Sequence, residues 1–281
     1  MGRRVSAIFA VLLAAGSPEL DAAEHEVSVP VSGLSHIHGI AFGTADDLIL
    51  ATHHGVFAVD PAGQARLISE PHDFMGFTRA GPDRLIASGH PAEGGNMGVL
   101  TSNDGGAEWF PLADGVGGPV DFHAMTVSPA DPEVVYGLFG GIQVSRDAGA
   151  TWTISGPAPA DTIDLAAGPE DPGTLYAGTM DGLMVSTDFG ASWARSGPQG
   201  VPVTAVESTG SGEIYAFFAG GGLFRRSDDG SWTALSEDFG QRVILHLAVD
   251  ADTPNRLAAV TDASAVLISE DAGKSWRPVA Q

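Results

Sequence analysis

All five tryptophans of this chain fall within five copies of one short motif. Ser102–Trp109, Ser145–Trp152, Ser186–Trp193 and Ser269–Trp276 read S-x-D-x-G-x-x-W, and Ser227–Trp232 reads the same after a deletion. The serines stand at 102, 145, 186, 227 and 269, at intervals of 43, 41, 41 and 42 residues. A fixed period of this size means one supersecondary unit stacked repeatedly, which narrows the fold to a solenoid, a propeller or an array.

The content of the unit selects among these. Each motif follows a short apolar run (Gly98–Leu100, Gly141–Val144, Gly182–Val185, Gly222–Phe224, Ala265–Ile268), and two more strand-like runs come earlier, as in Phe122–Val127 with Val134–Leu138 and Thr162–Ala167 with Thr174–Gly178. Four short strands per unit, punctuated by Gly and Pro, predict a propeller blade. Stepping back 43 residues from Ser102 reaches Val59-Asp60-Pro61-Ala62-Gly63, a decayed motif in a first unit with strands Ile37–Phe42, Leu48–Ala51 and Gly55–Val59. The expectation is an all-β, six-bladed β-propeller. A seven-bladed ring is the alternative, but six units leave no room for another blade. The alternating Val27, Val29 and Val31 predict an extra strand at the ring closure.

Residues 1–23 read differently. Arg3 and Arg4 precede the apolar run Val5–Ala15, and small residues follow at Ala15-Gly16-Ser17 and Ala22-Ala23, the pattern of a secretory signal peptide. The run is too short to span a bilayer, so the reading is export to the periplasm or beyond without stable membrane insertion, leaving 24–281 as a single propeller domain. Thirteen basic against 35 acidic residues give a net charge of -22, which excludes nucleic acid as a partner. With no cysteine, a metal site would draw on His, Asp, Glu or Met.

The motif resembles the Asp-box, or bacterial neuraminidase repeat, of sialidases, sortilin-type receptors and photosystem assembly factors. The order His36-Ile-His38-Gly, Thr52-His-His54-Gly, His72-Asp-Phe-Met-Gly-Phe77, Ser88-Gly-His90-Pro and Asp121-Phe-His123 is similar to exported bacterial proteins called glycosylhydrolase or exo-alpha-sialidase. The resemblance implies the fold over the whole chain after the leader. It says little of function, because the motif is a hairpin turn whose Ser and Asp brace the backbone and whose Trp packs between strands.

Function is therefore read from the histidines. Seven of nine (His36, His38, His53, His54, His72, His90, His123) lie in the first three units, at the starts of first strands or just after second strands, and these positions open on one face of a propeller. Apolar alignment places His38, Asp73 and His123 at one position, with His36 and Asp121 two residues earlier. Imidazoles crowded on one rim repel when protonated and become mutually favourable around a divalent cation, with carboxylates as further ligands. The candidate metal residues are His36, His38, His53, His54, His72, Asp73, His90, Asp121 and His123, and the candidate ion is Zn or Cu. Met75 and Met125 read as core; Asp164 falls at a neighbouring phase; His246 reads as packing sideways, and His25 as structural.

Sialidase resemblance would imply three channel arginines, a Tyr nucleophile with a Glu partner and an Asp acid. Only Arg242 precedes a first strand, and Tyr136, Tyr176 and Tyr215 recur in second strands as core, which argues against that chemistry. Another glycosidase could use Asp73 and Asp121 as acid and base, although every Trp is committed to a motif and only Phe74, Phe77, Phe122 and Phe139 lie near the rim. The leading expectation is a binding or assembly module with a metal-binding, His-rich pocket that receives a protein partner or small ligand. The alternatives are a hydrolase using that pocket and an acidic scaffold for a basic partner.

Overall fold

A computed structural model of the protein describes residues 28–44, 46–227, 230–237 and 239–279. The leader-like segment and His25 lie outside the described residues. The chain forms six antiparallel sheets in a ring, a six-bladed β-propeller, with a single 3-10 turn at Val31–Gly33 among the described residues. No helix there is long and apolar enough to cross a membrane.

Each blade is a four-stranded meander in sequence order. In blade 1 the strands are Ile37–Phe42, Leu48–Thr52, Gly55–Val59 and Gln64–Leu67, and in blade 4 they are Thr162–Ala167, Leu175–Thr179, Gly182–Ser186 and Ala194–Arg195. The expected extra strand, Ser28–Pro30, forms away from the ring closure. It pairs with Gln64–Leu67 as a fifth strand on the outer edge of blade 1, because the last blade already takes all four strands from Ile244 to Pro278. The ring closes by packing instead, with Phe42, Leu50 and Ile40 of blade 1 sharing a buried cluster with Ala248, Val260 and Val266 of blade 6. Blades 3 and 4 share a similar seam through Tyr136 and Leu165, and blades 5 and 6 through Tyr215 and Leu247.

The motif turns are local hydrogen-bond circuits. Ser145 Oγ donates to Asp147 Oδ1 at 2.8 Å and accepts the Gly149 amide at 2.8 Å, while Trp152 Nε1 donates to the Gly149 carbonyl at 2.8 Å. The turns at Ser102 and Ser269 repeat this circuit. Trp193 departs from it by donating to Pro157 of the preceding blade. The indoles pack on core rings, Trp109 on Phe74 and Trp152 on Phe122 with centroids 5.0 and 4.9 Å apart. Phe74 and Phe122 are therefore core residues, not rim platforms.

First strands line a central channel of about 650 Å³. Most carry an irregularity near their start, between Ile37 and Gly39, Phe74 and Phe77, Thr162 and Asp164, Val203 and Ala205, and Ile244 and His246. Bulges of this kind re-aim a side chain, and His38, Met75, Ile163 and Leu245, which fall within them, all face the channel.

Candidate functional site

Strand pairing fixes how the blades superpose. Val59 pairs with Leu48, Ser102 with Leu85 and Ser145 with Val135. Counting from these residues to the first strands places His36, Asp73 and Asp121 at one position. His38, Met75 and His123 share the position two residues further on. The alignment by apolar pattern is thus corrected for blade 2: Asp73 matches His36 rather than His38, and Met75 lines the channel rather than the core, because this strand ends in Thr78-Arg79 where blade 1 has Ala41-Phe42, which displaces its apolar run by two residues. Met125 is buried core as expected.

Asp73 collects two imidazoles from blade 1. His53 Nδ1 contacts its Oδ2, and His38 Nε2 faces its Oδ1 at 3.9 Å. Both His38 Nε2 and Asp73 Oδ1 are buried and have no hydrogen-bond partner. The His38 and His53 rings meet edge to face, 4.6 Å between centroids at 89°, and His36 packs on His53 at 4.9 Å. Burial, followed by the neighbouring His53, holds the His38 imidazole below its ordinary range and outweighs the pull of Asp73. His38 Nε2 is therefore a buried nitrogen that no group of the protein bonds. One ligand atom each from His38, His53 and Asp73 lies within 4.8 Å of the others, close enough to share one cation.

Local structure sets this geometry. His53 sits in the turn Thr52-His53-His54-Gly55, where Thr52 Oγ1 donates to the Gly55 carbonyl and accepts the His54 amide. Gly55 holds φ +110, and a Cβ there would stand 3.0 Å from the Glu70 carbonyl oxygen, so glycine is required to keep the turn closed. His36 holds a left-handed backbone (φ 53), as does Asp161 (φ 54) at the same register in blade 4.

One blade further on, Asp121 has a related surrounding with different chemistry. Its Oδ2 meets His90 Nε2 at 2.8 Å and His123 Nε2 at 2.9 Å, while its Oδ1 is buried and unpartnered. His90 Nδ1 also contacts the Gly95 carbonyl at 2.8 Å. A carbonyl oxygen carries no proton, so His90 donates there, and its second nitrogen faces a carboxylate, an arrangement that favours the protonated ring. The Gly95 bond leads in raising its pKa, opposed by burial and helped by Asp121. His123 is well exposed at the channel mouth.

The remaining candidates are more peripheral. His54 is exposed beside His53, with ring centroids 6.5 Å apart, and His72 accepts the Ala92 amide through Nδ1. His246 reaches across the seam between blades 6 and 1 to the Ile37 backbone. Burial pulls it down to about 4, so it is a neutral structural donor. Tyr136, Tyr176 and Tyr215 are buried. Arg79, at the opposite channel mouth, spends its guanidinium on the carbonyls of Gly81, Phe42 and Pro82. Sequence reading undervalued two channel carboxyls, Asp164 and Glu207. Glu207 carries no motif, and its place in the channel wall becomes apparent only with the register.

No family model matches the chain, and no curated protein matches it. Solved structures do. A GH74 enzyme from Niastella koreensis superposes with a TM-score of 0.64 at 16% identity, covering 86% of this chain and 45% of that one. The GH74 xyloglucanase from Xanthomonas campestris gives 0.57 at 22% identity, covering 90% and 46%. The chain thus spans less than half the length of these two enzymes. YCF48 bound to D1 peptide gives 0.52 at 15% identity, covering 90% of this chain and 84% of that one. At these identities the likeness is one of fold.

Proposed function

We propose that this protein is an exported binding or assembly module that holds a divalent transition metal, Zn or Cu, between His38, His53 and Asp73 at one face of the propeller. The observation that carries this reading is the pair of buried, unbonded atoms His38 Nε2 and Asp73 Oδ1, facing each other at 3.9 Å beside His53. Buried polar atoms without partners are rare in folded proteins, and two of them converging with a third donor suit a cation. The site combines two imidazole nitrogens and one carboxylate and leaves positions for water or a partner's side chain. The leader-like composition of residues 1–23 supports export, and the peptide bound by YCF48, a propeller of similar size, supports a protein partner at one face. A hydrolase using Asp73 and Asp121 as acid and base has less support, since imidazoles already occupy both carboxylates.

Titration calorimetry of Zn and Cu(II) into untagged protein tests the reading. One equivalent is expected to bind at pH 7.5, at least tenfold more weakly in His38→Ala and Asp73→Asn, and more weakly at pH 5.5, where the imidazoles must shed protons to ligate. Absence of binding, or equal binding by the three proteins, overturns it.

A further inference from the structure

The seam between blades 2 and 3 carries a second set of metal-ligating groups, separate from the one between blades 1 and 2. Asp121 is its centre: the side chain is 5% exposed, and Oδ1 is buried without a hydrogen-bond partner. Oδ2 meets His90 Nε2 at 2.8 Å and His123 Nε2 at 2.9 Å. Two imidazole nitrogens therefore converge on a buried carboxylate whose other oxygen no group of the protein satisfies, an uncommon state in a folded chain. The backbone on either side of Asp121 is pinned. Ser88, fully buried in the second strand of blade 2, donates through Oγ to the Val120 carbonyl at 3.2 Å and accepts the Phe122 amide at 3.0 Å. Asn96 Nδ2 donates to the Pro119 carbonyl at 3.0 Å and the Gly98 amide to the Val120 carbonyl at 3.0 Å, which ties the loop carrying Gly95 to the loop carrying Asp121. Groups fixed by hydrogen bonds behind them are preorganised for a ligand.

The hydrogen bonds of His90 decide what can stand between these groups. Nδ1 donates to the Gly95 carbonyl at 2.8 Å, so in the neutral ring Nε2 is a bare lone pair. A bare lone pair 2.8 Å from a carboxylate oxygen is repulsive unless a cation lies between them. A proton on Nε2 is one such cation, and a divalent metal is another. Spending the second ring N–H on a backbone carbonyl is also how proteins fix the tautomer of a metal-ligating histidine. Bonds of about 2.0–2.2 Å to Zn set two ligand atoms of one ion about 3 Å apart, close to both separations at Asp121. The His123 side chain is 60% exposed at the channel mouth, so its ring is free to close on the ion.

We propose that His90 Nε2, His123 Nε2 and the Asp121 carboxylate form a second divalent-metal site, for Zn or Cu. Two imidazoles and a carboxylate without a thiolate are a donor set for borderline cations. Binding exchanges one cation for another: the metal enters, and the proton on His90 Nε2 leaves to solvent. Because that proton is held more firmly at His90 than at His38, this site fills after the one at Asp73. The inference does not depend on a metal at His38, His53 and Asp73.

Equilibrium dialysis of the full chain against ZnSO4 at pH 8.0, followed by elemental analysis, isolates this site when it is run on Asp73→Asn. That variant is expected to keep one equivalent of Zn. Adding Asp121→Asn or His123→Ala to it should weaken the binding at least tenfold. His123 is exposed, so His123→Ala should melt with the parent in thermal denaturation even where Asp121→Asn disturbs the fold. A surface imidazole taking up Zn adventitiously would not depend on a buried carboxylate. No Zn on Asp73→Asn, or affinity unchanged when Asp121→Asn or His123→Ala is added, overturns the proposal. The comparison of the parent with Asp73→Asn decides the first site, and the losses within the Asp73→Asn background decide the second, so either can fail alone.

Discussion

Asp73 of blade 2 and Asp121 of blade 3 hold the same register position, and each carboxylate contacts the imidazole that follows the second strand of the blade before it, His53 for Asp73 and His90 for Asp121. The repeat thus delivers the same carboxylate–imidazole unit twice across adjacent seams. The two copies have diverged through their neighbours. At Asp73 burial lowers the pKa of the additional imidazole, His38; at Asp121 the partner His90 is clamped by the Gly95 carbonyl, which raises its pKa. The two copies thus pull their imidazoles in opposite directions.

This divergence predicts opposite titrations. In an NMR titration of histidine ring signals, His90 is expected to titrate above about 6.5 and His38 below it, taking 6.5 as the ordinary imidazole value. Asp121→Asn should bring His90 downward and leave His38 nearly in place. Because the folded state raises His90, its stabilising contribution is full below the unfolded value and is lost as pH rises through the folded one. The same titration order in both residues would refute the assignment.

The tryptophans should separate by burial. Trp152 is 9% exposed and stacks on Phe122, so Trp152→Ala is expected to cost about 3 to 5 kcal/mol in urea denaturation. Trp193, half-buried and bonded outside its own turn, should cost less than half as much. Metal bound per folded molecule should be unchanged in both, since the turns lie on the outer parts of the blades; a metal defect in Trp152→Ala without a stability defect would contradict the structural role of the motif.

The architecture was legible because the motif repeats with a nearly constant interval, and five of the six repeats carry its serine and tryptophan. The meeting of His36, His38 and His53 was legible for the same reason: register within a repeat is positional information. What failed was fine phase. The first strand of blade 2 ends in the polar pair Thr78-Arg79 where blade 1 has Ala41-Phe42, so matching apolar runs slides Asp73 onto the position that Met75 occupies. The opposite shifts of His38 and His90 were also invisible, because that of His90 depends on the Gly95 carbonyl, which comes from a loop outside the repeat. The N-terminal strand found the outer edge of blade 1 because that edge, unlike the ring closure, was unoccupied.

Small residues at the blade 1 and 2 seam predict a coupling between packing and the site. A Cβ at Gly39 would stand 2.6 Å from Phe77 Cβ, an atom fixed to the neighbouring strand that cannot rotate away. Gly39→Ala should therefore push the strand carrying His38 from the strand carrying Asp73, costing about 1 to 3 kcal/mol and weakening Zn affinity as well. Gly210→Ala, with open space around its Cβ at the opposite mouth, is the matched control and should alter neither. Stability and affinity both unchanged in Gly39→Ala would show that the seam is softer than its geometry implies.

Acid sensitivity is expected to arise at His246. Its ring is neutral when folded, with a pKa of about 4 against about 6.5 unfolded, so its contribution is intact above about pH 6.5 and is lost as pH falls toward 4. The difference corresponds to about 3 kcal/mol. Asp164 works in the opposite direction over much of the same range: burial pushes it up to about 7, so the folded state takes up its proton before the unfolded state does and gains stability as pH falls. Glu207 is raised in the same sense. The turn carboxylates act at lower pH, since hydrogen bonds from Ser192 and Ser186 hold Asp188 at about 2 and those from Ser275 and Ser269 hold Asp271 at about 2. The wild-type stability curve therefore mixes opposing slopes, and the informative quantity is the difference between wild type and His246→Gln, whose amide can still donate to the Ile37 backbone. Measured by urea denaturation, that difference should shift by about 2 to 3 kcal/mol in favour of the variant between pH 8 and pH 4.5. A difference that does not vary with pH would mean that His246 is charged or solvated in the fold, and would remove it from the seam.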